Sequence, residues 1–147
     1  MKKEQEDQEL KSEAVYLDSN LFITAAISLD SNGEKARELI DKINNGLFKA
    51  YTSALTIDEV IWIVQKFKDR ETAYETAKTI ISTSKINFIP IDIEIVSASL
   101  ELYKETNLKP RDSIHLATMK INGISTIVSQ DSDFDKIKDI KRIDFSK

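Results

Sequence analysis

The chain has no cysteine, one histidine, three glycines and two prolines among its 147 residues. Without cysteine there can be no disulfide, thiolate metal site or cysteine nucleophile. That composition fits an intracellular protein, and a cytoplasmic location is expected. With one imidazole and no thiol, a metal ion would have to be held by hard oxygen ligands, as suits Mg²⁺ or Mn²⁺. So little glycine and proline argues against long flexible linkers. No apolar run approaches the roughly 18–20 residues of a membrane span, so no membrane partner is expected. The charged N-terminus does not read as a signal peptide. Positive charge is not in excess either: 21 Lys and Arg stand against 25 Asp and Glu, a net charge of −4. Proteins that hold nucleic acid by broad phosphate neutralisation are usually basic. If this chain acts on nucleic acid, local lysines and a bound metal must attract it, and binding without metal should be weak.

A hydrophobic content of 41% is enough for a buried core at this length, so one globular domain is expected. Residues 1–13, MKKEQEDQELKSE, are polar throughout and read as a disordered or solvated extension, at most a frayed helix. The domain then runs over 14–147. Ala14–Leu17 reads as a short buried strand, followed by a helix that Ser19 or Asn20 could cap. Ser31-Asn32-Gly33 reads as a turn, Glu34–Asn44 as an amphipathic helix, and Asn45-Gly46 as its left-handed close. Phe48–Tyr51 is a second strand. The helix after it, capped by Thr52 or Ser53 and reaching Phe67, is apolar nearly all round, which implies burial or a partner interface.

Arg70–Ser84 reads as a further helix, Ile86–Ile89 as the third strand, and Asp92 as the cap of a helix over Ile93–Glu105. Pro110 can open a helix that extends to Ile121. Ser125–Val128 is a fourth strand, Phe134–Ile137 a helical turn, and Ile140–Ile143 a plausible edge strand. Short strands alternating with helices of ten or more residues indicate an α/β architecture with a mostly parallel sheet.

Four acidic residues stand where strands end or helices begin: Asp18 in VYLDSN, Glu59 in LTIDEV, Asp112 in KPRDSIHLAT and Asp131 in TIVSQDSDF. Gathered into one cleft they could not all stay ionised without a cation, so the pattern points to a divalent metal. In an open α/β sheet, ligands bind at the carboxyl ends of the strands, where Asp18 and Asp131 fall. Each acid also has a simpler explanation. Asp18 and Asp131 could cap the helices after them, Glu59 could close a capping box with Thr56, and Asp112 could favour a helix dipole. Against the capping box, Glu59 shares its helix with Leu55, Trp62 and Ile63, where an unpaired carboxylate is costly. Asp133 is close enough to join a metal site, whereas Asp135 is expected to face solvent. Ser53 and Ser129 could cap their neighbours or orient waters and carboxylates. Arg111 is either a solvated cation or a phosphate clamp. His115, one turn beyond Asp112, is expected to lie apart from the acids in a packed or hydrogen-bonded role.

The series LDSNLFI, TSALTIDEV, KPRDSIHLATM and IVSQDSDFDKI resembles the PIN-domain nucleases, in particular the VapC-type toxins of toxin–antitoxin modules. The resemblance spans residues 14–145, and the order of the motifs is what makes it specific. It implies a three-layer α/β/α fold with a central, mostly parallel sheet of four or five short strands, and a Mg²⁺- or Mn²⁺-dependent endoribonuclease activity. It places Asp18, Glu59, Asp112 and Asp131 as the catalytic and metal-binding acids, with Asp133 as an auxiliary fifth. Asn20, Ser53 and Ser129 would support them, and Arg111 and Lys109 would contact RNA. It also implies an RNA substrate, an antitoxin protein and a homodimer. The long polar N-terminus departs from the family pattern. Two other readings keep the fold: an RNA-processing nuclease outside any toxin–antitoxin pair, and a noncatalytic RNA- or protein-binding module.

Overall fold

The computed structural model describes residues 1–5 and 13–147. Its central sheet has five strands among the described residues: β1 (Ala14–Leu17), β2 (Lys49–Ser53), β3 (Ile86–Ile89), β4 (Thr126–Val128) and β5 (Lys141–Ile143). They lie in the order β3-β2-β1-β4-β5, and every pairing is parallel. The helices are α1 (Ser19–Ile27), α2 (Ser31–Asn44), α3 (Ala54–Phe67), α4 (Arg70–Ile81), α5 (Ile93–Glu105) and α6 (Pro110–Ile121), with a 3₁₀ turn over Ser132–Lys136.

Strand β1 sets both halves of the core. Side chains alternate across a pleated strand. Val15 and Leu17 therefore enter one cluster, with Leu21, Phe22, Val60 and Val64 from α1 and α3. Tyr16 enters the other, with Leu116, Met119 and Ile127. Helices cover both faces, giving the expected three layers. The chain builds β1, β2 and β3 outward in one direction, then returns to add β4 and β5 on the other side of β1. A crevice opens where the order reverses, at the carboxyl ends of β1 and β4.

Several local expectations change for identifiable reasons. Asp30 caps α2 by accepting from Asn32 N and Gly33 N at 3.1 and 3.2 Å, so Ser31-Asn32-Gly33 is the helix's first turn and not a separate turn. Asp18, and neither Ser19 nor Asn20, occupies the cap position of α1. Helix α3 buries one stripe, Thr56, Val60 and Val64, while Trp62 and Phe67 remain 58% and 63% exposed. Glu13, expected in the polar extension, joins the domain: its carbonyl accepts from Lys49 N at 3.0 Å and its carboxylate from the Thr126 hydroxyl. Residues 2–5 form a helical turn, and the extension's residues 6–12 lie outside the described residues. No helix among the described residues is long and apolar enough to cross a membrane.

Candidate metal centre

Asp18 leaves the end of β1 with its side chain buried at the head of the crevice, 4% exposed. One oxygen, Oδ1, accepts from Ser19 N at 2.7 Å, so Asp18 does cap α1. The other, Oδ2, accepts from the Ser129 hydroxyl at 2.7 Å and from Asn20 Nδ2 at 3.3 Å. Capping and a site role are compatible because they use different oxygens. Ser129, at the end of β4, also accepts from Asn20 Nδ2 and from Asp131 N, each at 3.0 Å. Asn20 Oδ1 accepts from Gln130 N at 3.3 Å. Asn20 and Ser129 thereby staple the loop after β4 to the loop after β1. This ties Asp131 to Asp18.

Asp131 caps the 3₁₀ turn, accepting from Asp133 N at 2.9 Å. Asp112 stands in the first turn of α6, one residue after the Pro110-Arg111 start. Asp18, Glu59, Asp112 and Asp131 line one cleft of about 660 Å³ together with Ser19, Asn20, Lys109, Pro110 and Arg111. Four acids separated by more than a hundred residues of chain are gathered, with two basic side chains at the same cleft.

Their electrostatics carry the mark of that crowding. Burial pushes the Asp112 carboxyl up to about 7, and the neighbouring Asp18 and Asp131 carboxylates push in the same direction. Burial also raises Asp18 above the usual carboxylate range, against the relief offered by His115 and the Ser129 hydroxyl. For His115, burial alone would disfavour the charged ring. The Tyr16 oxygen and the Glu59 and Asp18 carboxylates prevail, and its pKa lies well above the ordinary imidazole value. A dication at the cleft would stabilise the ionised acids, and the donor set is oxygen-rich, so the residues fit Mg²⁺ or Mn²⁺. Ligand-capable atoms of Asp18, Glu59 and His115 all lie within 4.8 Å of one another.

His115 is the principal correction. It does not stand apart from the acids: Nε2 contacts Glu59 Oε1 and lies 3.9 Å from Asp18 Oδ1. Asp112 and His115 are three apart on α6 and share a face. That face puts Asp112 at the mouth and His115 at the floor. The hydrogen-bonded role expected for it is present, since Nδ1 meets Tyr16 OH at 2.6 Å. The alternative of a capping box between Thr56 and Glu59 does not hold: Thr56 lies inside α3, whose cap position is Ser53, and its hydroxyl pairs with Thr52 at 2.7 Å. Ser53 holds the cap position of α3 without a side-chain capping bond and meets Tyr16 OH at 2.8 Å instead. Asp133 is placed apart from the four acids. It does not line the cleft; it sits 3.7 Å from Lys136 and faces a separate crevice beside Asn107 and Leu108. Asp135 is half exposed, as expected, but is clamped by Arg142 through two 2.8 Å contacts.

Two contributors carry no motif signal in the sequence. Tyr16 lies inside the short buried strand β1, where a phenol needs a polar partner. Arg142, on the edge strand β5, also donates to the Ser129 carbonyl at 3.1 Å and so braces the loop that carries Asp131.

The family model of the PIN domain matches residues 15–140. Ribonuclease VapC2 of Methanocaldococcus jannaschii is 24% identical over 148 residues, covering 92% of this chain and 93% of that protein. Among solved structures, Mycobacterium tuberculosis VapC20, described as a Sarcin-Ricin loop cleaving toxin, superposes with a TM-score of 0.69 at 16% identity. That match covers 82% of this chain and 92% of the other. DNA-bound VapBC from Salmonella typhimurium gives 0.69 at 17% identity, covering 90% of this chain and 98% of that one. At these identities the structural likeness establishes the shared fold.

Proposed function

The chain belongs to the PIN-domain family, and from that membership we propose that it is a divalent-metal-dependent endoribonuclease, the toxin of a toxin–antitoxin pair acting in the cytoplasm. The observation that carries this reading is the gathering of Asp18, Glu59, Asp112 and Asp131 in one cleft, where Asp112 is pushed up to about 7. Such a site stores electrostatic repulsion that a dication relieves. The similarity to a protein named Ribonuclease VapC2 supports the choice of RNA as substrate.

Asp18, Asp112 and Asp131 would hold Mg²⁺ or Mn²⁺, with Glu59 either beside them as a ligand or against the attacking water. When bound, the ion supplies Lewis-acid polarisation of a phosphodiester and lowers the pKa of water. The protein's own part is positional. Ser129 and Asn20 fix the Asp18 carboxylate, and the same pair holds the Asp131 loop in register with it. Glu59 has Oε1 engaged by His115, which leaves Oε2 to take a proton from water. Lys109 and Arg111 line the cleft where they can meet phosphate oxygens, a local positive feature on a chain of net charge −4.

An antitoxin and a second copy of the chain belong to the proposal. Structural neighbours include toxin–antitoxin complexes from Klebsiella pneumoniae and other bacteria, and α3 and α4 leave Trp62, Phe67, Tyr74 and Ile81 exposed. The primary test is cleavage of single-stranded and structured RNA in Mg²⁺ or Mn²⁺, with EDTA and Asp112→Asn as controls. Metal-dependent cleavage lost in both controls is expected; cleavage that survives both overturns the metal mechanism. Absence of cleavage together with absence of Mn²⁺ binding points to a binding module instead.

A further inference from the structure

Beneath the acidic cleft runs a line of buried polar groups. Ser53 Oγ lies 2.8 Å from Tyr16 OH, Tyr16 OH lies 2.6 Å from His115 Nδ1, and His115 Nε2 contacts Glu59 Oε1. Ser53, Tyr16 and His115 are all 0% exposed, so water does not substitute for any of these partners. The line draws on β2, β1, α6 and α3 in turn and therefore crosses both layers around the sheet.

Counting protons decides what the imidazole does. In a neutral arrangement the Ser53 hydroxyl donates to Tyr16, the Tyr16 hydroxyl donates to Nδ1, and Nε2–H donates to Glu59. In a charged arrangement Nδ1–H donates to the Tyr16 oxygen and Tyr16 donates to Ser53, while Nε2–H still donates to Glu59. The remaining tautomer would aim the bare Nε2 lone pair at a carboxylate oxygen, two acceptors face to face in a buried site, which is costly. With Glu59 ionised, both workable arrangements agree at Nε2, whatever the charge on the ring.

We propose that His115 is a positioning residue whose Nε2–H fixes the Glu59 carboxylate, that Tyr16 and Ser53 fix His115, and that His115 is not a metal ligand. Nε2 is committed to Glu59 and lies farther from Asp18, at 3.9 Å. Hydrogen bonds of this kind orient the groups that act on a metal or its water, and their loss costs about 10–100-fold in affinity or activity. This inference rests on the nuclease reading for what Glu59 does, but its geometry can be tested without any RNA.

His115 is the only histidine of the chain, so imidazole ¹⁵N and ¹H resonances of the full-length protein need no residue assignment, and two-bond coupling to Hδ2 identifies Nε2. Nε2 is expected to carry its proton in EDTA and to keep it when Mg²⁺ is added, and Glu59→Gln is expected to move the Nε2–H signal. An unprotonated Nε2 in either state, or an Nε2–H signal indifferent to Glu59→Gln, overturns the proposal. In cleavage assays Tyr16→Phe is expected to lower kcat at least about tenfold with KM for RNA nearly unchanged. His115→Gln, which keeps an N–H donor, should retain more Mn²⁺-dependent activity than His115→Ala. Equal activity in the two His115 variants counts against positioning. Metal-dependent cleavage with a bare Nε2 defeats this inference and leaves the nuclease reading standing. A protonated Nε2 coupled to Glu59 in a chain that cleaves no RNA does the reverse.

Discussion

The Ser129 hydroxyl donates to Asp18 Oδ2 at 2.7 Å across 111 residues of sequence, and Ser129 Oγ itself accepts from the backbone N–H of Asp131 at 3.0 Å. One side chain thus fixes two of the acids in the cleft. Ser129→Ala leaves Asp131 N without its partner and removes a hydrogen bond that steadies the ionised Asp18. The variant should unfold about 1–3 kcal/mol more easily in urea and need more Mn²⁺ to reach half-maximal cleavage. Unchanged metal dependence would sink this account of Ser129.

Asp112 should show activity and stability moving in opposite directions. Asp112→Asn removes a metal-holding oxygen and should cut RNA cleavage more than about a hundredfold. The same change removes a carboxylate crowded by burial and by Asp18 and Asp131. In EDTA near pH 8 the variant should therefore have a higher urea midpoint than the parent. A lower midpoint there would contradict the crowding.

The pH dependence of the metal-free protein follows from the same residue. Its carboxyl is raised from 3.8 to about 7 in the folded state. A raised pKa gives a contribution fully present below the unfolded value and lost as pH rises through the folded one. Urea midpoints in EDTA should fall between about pH 4 and pH 7, with the raised Asp18 adding to the trend and His115, raised above 6.5, continuing it to higher pH. Saturating Mn²⁺ should flatten the dependence, because binding requires ionised acids and releases protons. Midpoints measured by fluorescence of the single Trp62 would check it.

Lys109 and Arg111 line the cleft but touch none of the acids by hydrogen bond or ion pair among the described contacts. Replacing either with Gln should raise KM for RNA with kcat little changed. Each replacement should reduce the slope of log affinity against log salt by about 1, measured in the cleavage-deficient Asp112→Asn background at one fixed Mn²⁺ concentration. A fall in kcat with unchanged KM would move these side chains from binding to the reacting centre.

Gly33 is needed for close approach. A methyl group there would stand 2.0 Å from the Ser28 carbonyl oxygen, a backbone atom with nowhere to go. Gly33→Ala should destabilise by about 1–3 kcal/mol in urea titrations. Because α2 lies away from the cleft, kcat of the folded fraction should hold.

Much of the molecule was legible without coordinates. The bounds of β1, β3, α5 and α6 agree with their patterns in the sequence, and Asp18, Asp112 and Asp131 stand at strand ends and helix starts as their immediate neighbours indicate, whereas Glu59 lies in the second turn of α3. These are local properties: pleat alternation, caps and proline placement act over a few residues, and the motif order reports the family. Other assignments needed the fold. Strand parity sends Tyr16 to the face opposite Val15 and Leu17, and only the packing of α6 on that face brings His115 to meet it. Asp131 and Asp133 are two apart on a tight turn, so their side chains diverge, one to the cleft and the other to Lys136. Ser53 looks like a cap until Tyr16 claims its hydroxyl. The sequence alone determined which acids stand at the chain's strand ends and helix starts. The tertiary structure decided which of them share a cleft and which imidazole holds one in place, because those contacts join elements far apart in the chain.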